Sequence, residues 1–259
     1  MRRRRLGAPA QPIVRPIFWL LLGGALVAYV AFGRKPTKRE SVIEGPKLPA
    51  RVTEEESLAR ALPVAGRQYI PDILRVAREE SVSPFVIAAF MEQESLYGTL
   101  LNPPGPAGRG ADGADYGLMQ LNRIANASFL KERAPDGTPL WQIPYENIKR
   151  GVIGYKFFRD YFAKTPATKT LTVERGGKLN ERGIPAGVYR DPRPLSGDAL
   201  TRAAFAAYNA GQSAVLASIA AGKPADFLTA KGTLDGKKMG YGSLVAARLS
   251  NLIERAETA

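Results

Sequence analysis

The chain has 259 residues, with 37 Lys or Arg against 24 Asp or Glu and a formal net charge of +13; it contains neither Cys nor His. Without these residues, disulfides, thiol catalysis, serine–histidine chemistry and the usual zinc motifs are excluded, and we expect no metal or cofactor. Acid–base chemistry must therefore use Glu, Asp, Lys or Tyr. Nine basic and no acidic residues fall within 1–39, so the remainder is only mildly basic, which suits an anionic polymer but not specifically nucleic acid.

The N-terminal segment, residues 1–33, predicts a membrane anchor. Basic residues at the start precede a stretch without charge from Pro16 to Gly33. Its length matches a short transmembrane helix better than the core of a signal peptide. We expect a single-pass anchor through residues 16–33, although Ala31 and Gly33 also fit the small residues before a cleavage point. Basic residues lie on both sides of the span, so charge orients it only weakly.

Residues 34–66 contain four prolines and predict a linker, followed by a catalytic domain over residues 67–259. Within the linker, Thr53 and the three glutamates after it are typical of a capped short helix that runs to Leu62. The spacing of apolar residues in the domain predicts helices at about 69–80, 145–163, 198–220 and 241–256. We therefore expect a mainly α fold.

An irregular insertion is expected at residues 165–197, where basic residues outnumber acidic ones. Its segments 170–174 and 187–190 have the composition of two strands and could pair as a small hairpin. We interpret the insertion mainly as a solvated excursion, with a place beside the active site as the alternative.

One more predicted helix carries the first candidate catalytic group. Ser83 is its expected N-cap and Pro84 its first residue. At about 100° per residue, Glu94 falls on the apolar face and Glu92 nearly opposite to it. The apolar face consists of Val86, Ile87, Phe90 and Met91. Burial there should raise the pKa of the Glu94 carboxyl, as a general acid at neutral pH requires; a glutamate turned to solvent is the alternative.

Four blocks of residues occur in the order seen in lytic transglycosylases and goose-type lysozymes. They are Glu94-Ser95, Gly117-Leu118-Met119-Gln120, Ala207-Tyr208-Asn209-Ala210-Gly211, and Tyr241 with Val245. The chain resembles this family over about residues 68–257, with Asn147-Ile148 and Gly151 also matching. The resemblance implies a lysozyme-like helical fold that cleaves the β-1,4 bond between N-acetylmuramic acid and N-acetylglucosamine in peptidoglycan.

The resemblance also implies roles for single residues. Glu94 would be the catalytic acid and base, and Ser95 would support the turn after it. Tyr208 would sit against the Glu94 carboxyl, and Tyr241 would border the same cleft. Direct substrate contacts would come from Met119, Gln120 and Asn209.

Two reactions remain open within the family. A hydrolase that inverts needs a second carboxylate to hold a water, and Asp112 lies near the position where goose-type lysozymes have one. The second auxiliary carboxylate of those lysozymes is replaced by Asn122, which cannot act as a base, and Asp115 is another candidate. We favour a lytic transglycosylase, in which the 6-hydroxyl of the sugar attacks and Glu94 acts alone.

Location follows from the substrate, since peptidoglycan lies outside the inner membrane. We expect a single-pass inner-membrane protein with its catalytic domain on the periplasmic or cell-wall side. A cleaved secreted form, a virion-associated form, and a role in secretion or phage entry machinery fit the same sequence. A non-catalytic, membrane-anchored glycan-binding or assembly protein is the alternative from another class, although the intact Glu94 argues against it.

Overall fold

The computed structural model describes residues 52–258. The expected anchor at 16–33 and most of the expected linker lie outside the described residues. Within residues 52–258, no helix combines the length and the apolar character needed to cross a bilayer.

The described chain is mainly helical, as the sequence predicts. The helices are α1 (Glu54–Ala61), α2 (Val64–Arg67), α3 (Ile70–Glu80), α4 (Pro84–Ser95), α5 (Pro144–Ala163), α6 (Lys178–Glu181), α7 (Gly197–Ala210), α8 (Gln212–Ala220) and α9 (Tyr241–Thr258). Short 3-10 helices cover Phe129–Lys131 and Leu140–Gln142. Three antiparallel pairs join β1 (Asp115–Tyr116) to β2 (Leu121–Asn122), β3 (Thr170–Val173) to β4 (Gly187–Arg190), and β5 (Lys231–Leu234) to β6 (Lys237–Gly240).

Helix α1 belongs to the folded body, although the sequence places it in the linker. The predicted cap is present, because the Thr53 hydroxyl accepts from the Glu56 N–H at 3.1 Å and the Glu56 carboxylate accepts from the Thr53 N–H at 2.9 Å. The helix packs against α3 and α9 and buries Leu58 and Leu62 completely in the main core. The compact part of the chain therefore begins before residue 67.

Helix α4 lies at the centre of the core, between α3 and α9. All of its residues from Pro84 to Met91 are buried, so its apolar surface is continuous rather than confined to the predicted face. The Phe90 ring contacts aromatic rings of α5 and α7, with ring centroids 5.3 Å from Tyr155 and 4.9 Å from Tyr208. These contacts pack α4 against α5 and α7 one turn before Glu94.

Two features near the C-terminus differ from the prediction. The single helix expected over 198–220 is divided at Gly211, whose backbone angles (φ 79°, ψ 156°) are not helical. A hairpin, β5–β6, precedes α9 and was not predicted. Its turn residues Asp235 and Gly236 both have positive φ, as two-residue hairpin turns require. The Asp-Gly pair is therefore the sequence signal that indicates this hairpin.

The expected insertion is more ordered than predicted. Strands β3 and β4 pair in the expected hairpin, with Thr170 opposite Arg190, and α6 lies between them. The side chains of Val173 and Ile184 are buried in a small core with residues of α8 and with Leu228. The segment therefore has a small apolar anchor on α8, while most of its residues are exposed to solvent, as expected for a solvated excursion.

Candidate active site

Glu94 lies in the last turn of α4, directly before a sharp change in chain direction. The helix ends at Ser95 because Leu96 adopts a left-handed conformation with φ 49°. The buried Ser95 hydroxyl donates to the Leu118 carbonyl at 2.8 Å and accepts from the Gly98 N–H at 3.0 Å. Ser95 therefore joins the turn after Glu94 to the segment between β1 and β2.

The Glu94 carboxyl group is partly buried. Burial raises its pKa to about 8, since the charged form loses hydration. The Tyr241 hydroxyl donates to Glu94 Oε1 and opposes this shift, whereas the negative charge of Asp115 adds to it. At neutral pH the group is mostly protonated and can act as an acid.

Glu92 has a different environment, although it is only two residues away. Its carboxylate accepts from Arg248 at 2.7 Å and from Arg255 at 3.5 Å, and Tyr97 donates to it at 3.3 Å. These contacts tie α4 to α9 through a paired charge. Glu92 is thus ion-paired with two arginines. Among the contacts given for residues 52–258, Glu94 has no cationic partner.

The backbone of Met119 is held by two polar side chains, the buried Asn147 and the partly buried Tyr208. The Asn147 carbonyl oxygen accepts from the Met119 N–H at 2.9 Å, and the Tyr208 hydroxyl donates to the Met119 carbonyl at 2.9 Å. The Asn147 amide also donates to the Trp141 carbonyl at 2.9 Å. A Cβ atom at Gly117 would lie 2.1 Å from the same amide, so a glycine is required for this close approach. The matching blocks around residues 117, 147 and 208 therefore form one structural unit.

Met119 and Gln120 were predicted to line the sugar subsites. The Met119 side chain is fully buried, and a Cβ atom at Gly151 would lie 2.7 Å from it. Met119 therefore packs in the core and does not face an open subsite in this structure. The partly buried Gln120 has a positive φ of 46° and donates to the Gly117 carbonyl at 2.9 Å, and its contact with a sugar remains a prediction.

Tyr208 was predicted to sit against the Glu94 carboxyl, and Tyr241 to border the same cleft. The Tyr208 hydroxyl donates its proton to the Met119 carbonyl, and the charge of Glu94 contributes to the rise in the pKa of Tyr208. The hydrogen bond to the carboxyl comes from Tyr241.

Asn209 was predicted to contact the sugar. Its side-chain carbonyl accepts from the Ala230 N–H at 2.9 Å, which connects the end of α7 to the start of β5. This bond occupies the carbonyl oxygen, and a sugar contact by the amide group remains a prediction.

Asp112 and Asp115 are the two candidates for the second carboxylate of a hydrolase, and they differ in burial. Asp112 is exposed, and its carboxylate accepts from the Ala114 N–H at 2.9 Å in a local turn. Asp115 is partly buried in β1, accepts from Asn122 at 3.1 Å, and has a pKa raised by burial. The negative charge of Asp115 contributes to the raised pKa of Glu94, so of the two candidates Asp115 has the shown link to that residue.

No group of three or more acidic residues with the geometry of a metal site occurs within residues 52–258. In a comparison with protein families, residues 73–227, more than half of the chain, match the model described as Transglycosylase SLT domain. This range contains Glu94, the 117–120 segment and Tyr208, and it ends before Tyr241. No curated protein matches the chain.

Proposed function

The chain belongs to the Transglycosylase SLT family, and we propose from this premise that Glu94 is the single acid and base of its reaction. Members of the family are lytic transglycosylases, that is, lyases that cleave peptidoglycan. The protein is therefore an enzyme of this class with peptidoglycan as its substrate.

The observation that carries the proposal is the position of Glu94, partly buried in the last turn of α4 with the Tyr241 hydroxyl on its carboxyl group, where burial raises its pKa to about 8. A protonated Glu94 gives its proton to the oxygen of the β-1,4 bond as the bond from that oxygen to the anomeric carbon of N-acetylmuramic acid breaks. The 6-hydroxyl of the same sugar then attacks that carbon, and its proton returns to the Glu94 carboxylate. The products are a free 4-hydroxyl and a 1,6-anhydro end, and no water is consumed.

The Tyr241 hydroxyl acts on the charged form of Glu94, which exists between the two halves of this cycle. Hydrogen bonding to the charged form of a carboxyl stabilises it, so Tyr241 offsets part of the burial effect when Glu94 loses its proton. Asp115 acts in the opposite direction and favours the protonated acid that begins the cycle. Asp112 is held in an exposed turn, which speaks against the water-activating role that a hydrolase would require.

The first test is Glu94→Gln with purified peptidoglycan. We expect the rate to fall by at least about a hundredfold, because general acid–base catalysis typically contributes that much or more. Mass spectrometry of the wild-type products should show anhydro ends, which are lighter than reducing ends by one water.

Glu92→Gln is the matched control, since it removes a carboxylate two residues away on the other side of α4. It should lower the melting temperature through the loss of the Arg248 pair but retain turnover. Full activity in Glu94→Gln would contradict the assignment of the acid, and reducing ends in the wild-type products would indicate hydrolysis.

We further propose that residues 16–33 anchor the enzyme in the inner membrane with the catalytic domain on the periplasmic or cell-wall side. The proposal is supported by the location of peptidoglycan and by the absence of charge from Pro16 to Gly33. A role in secretion or phage entry machinery remains compatible with this location. Membrane fractions washed with alkaline carbonate should retain the full chain, and its release as a soluble protein of full length would contradict the anchor.

A further inference from the structure

Tyr241 is the first residue of α9, so the position of its hydroxyl depends on how that helix begins. The first N–H groups of any helix lack partners within the helix and must be satisfied by other groups. Here the Tyr241 N–H donates to the Thr229 hydroxyl at 2.9 Å, and the Ser243 N–H donates to the Asp226 carboxylate at 3.1 Å. Both acceptors come from the turn before β5, residues 226–229, and not from the residue before the helix.

The two acceptors are connected to each other. The Thr229 hydroxyl donates to the Asp226 carbonyl at 2.7 Å while it accepts from Tyr241, so its proton and one of its lone pairs are both used. The Asp226 carboxylate also accepts from the Ser243 hydroxyl at 2.6 Å. Thr229 is buried, with 7% of its surface exposed, so water does not readily replace these bonds.

Close packing shows that α9 begins directly on this turn. A Cβ atom at Gly240, the residue before Tyr241, would lie 2.5 Å from the Asp226 carboxylate and 2.7 Å from its carbonyl oxygen. On its other side the turn is followed by Ala230, whose N–H donates to Asn209 at the end of α7. The turn thus joins α7 to the first residue of α9.

We propose that Asp226 and Thr229 are positioning residues, which fix the start of α9 so that the Tyr241 hydroxyl stays on the Glu94 carboxyl. The inference rests on the proposed role of Glu94 as the acid and base. It gives the turn before β5 a part in the reaction, although neither residue contacts the reacting carboxyl.

The expected signature is a change in the pH dependence of the reaction. Besides Tyr241 from α9, the ionisable groups that act on Glu94 or are acted on by it are Asp115 from β1 and Tyr208 from α7. Displacing Tyr241 removes the one of these contacts that stabilises the carboxylate. The pKa of Glu94 should then rise further, and the fall in kcat/KM on the alkaline side should move to higher pH.

The test uses Thr229→Val in the full chain, with soluble uncross-linked glycan strands as substrate. Valine has the shape of threonine but cannot accept the Tyr241 N–H, so we expect the alkaline limb to move upward in the same direction as in Tyr241→Phe. The double variant should add little to the shift of Tyr241→Phe alone, because both changes act on one contact. Thr229→Ser keeps the hydroxyl and should restore the wild-type profile, and Thr168→Val, at an exposed threonine, is the control.

Asp226→Asn provides a second route if Thr229→Val does not fold, since an amide keeps the shape and weakens the acceptor. A wild-type profile in a folded Thr229→Val or Asp226→Asn variant would overturn the inference, as would shifts that add fully in the double variant. Failure of the proposed function would give a different result, because the Glu94→Gln variant would then remain active whatever the pH profile of the Thr229 variants.

Discussion

At the scale of single residues, the proton affinity of Glu94 results from three effects of known direction. Burial raises its pKa, the Tyr241 hydroxyl lowers it, and the charge of Asp115 raises it. The balance leaves the Glu94 carboxyl mostly protonated at neutral pH, which is the state that the first half of the proposed reaction needs. The pH range of activity is therefore a property of the neighbours of Glu94 as much as of Glu94 itself.

Asp115→Asn tests this balance in the direction opposite to Tyr241→Phe. Removal of a nearby negative charge makes ionisation of Glu94 easier, so its pKa falls and the alkaline limb of kcat/KM moves to lower pH. Anhydro products should persist, since Asp115 is not proposed to activate water. Asp112→Asn is the matched control and should leave the limb in place; an upward shift in Asp115→Asn would refute the electrostatic assignment.

At the scale of elements, the 117–120 segment is positioned by helices that lie far from it in sequence. Asn147 of α5 and Tyr208 of α7 hold the Met119 backbone, while Gly151 of α5 makes room for its side chain. The Leu118 carbonyl of this segment accepts a hydrogen bond from the hydroxyl of Ser95, the last residue of α4. A substitution on α5 that displaces the 117–120 segment should therefore also displace the turn after Glu94.

Two glycines on the same helix give a matched comparison. A Cβ atom at Gly151 would lie 2.7 Å from Met119, whereas one at Gly154 would come no closer than 3.7 Å, to the Tyr208 ring. Gly154→Ala should stabilise the protein by up to about 1 kcal/mol, because alanine favours the helix. Gly151→Ala should destabilise it by about 1–3 kcal/mol through overpacking. Urea unfolding measures both; equal effects would contradict the packing argument.

At the scale of the whole molecule, the core is closed by the first and last described helices. Helix α1 packs on α9, and its Leu58, together with Leu62 at its end, is buried in the main core. Each fully buried leucine contributes about 1.5–3 kcal/mol, against a total stability of about 5–15 kcal/mol for a typical domain. Helix α1 is therefore part of what keeps α9, and with it Tyr241, in place.

Two truncated forms test this role of α1. A chain from residue 52 retains α1 and should unfold cooperatively, whereas a chain from residue 67 should lose about 3–6 kcal/mol through the two leucines alone. The melting temperatures and the peptidoglycan-cleaving rates of the two forms should differ accordingly. Equal stability of the two would mean that the folded domain begins at residue 67, as the linker prediction requires.

Much of the fold could be predicted because its signals are local. The capping residues Thr53 and Glu56 and the apolar spacing of the long helices indicate elements that the structure contains. The break at Gly211 and the packing of the 165–197 segment could not be predicted in this way. The packing depends on contacts with α8, which a sequence pattern does not contain, and the break depends on the positive φ that Gly211 adopts.

The sequence by itself indicated the chemical class of the protein, because the absence of His and Cys left Glu, Asp, Lys and Tyr for acid–base chemistry and because its ordered blocks match one family. It also separated Glu94 from Glu92, since helical spacing alone places them on different sides. Only the tertiary structure decided which tyrosine meets the acid and which carboxylate acts on it. Those contacts join α4 to α9 and to β1 across long sequence separations, where distance and burial, rather than residue type, determine the pKa.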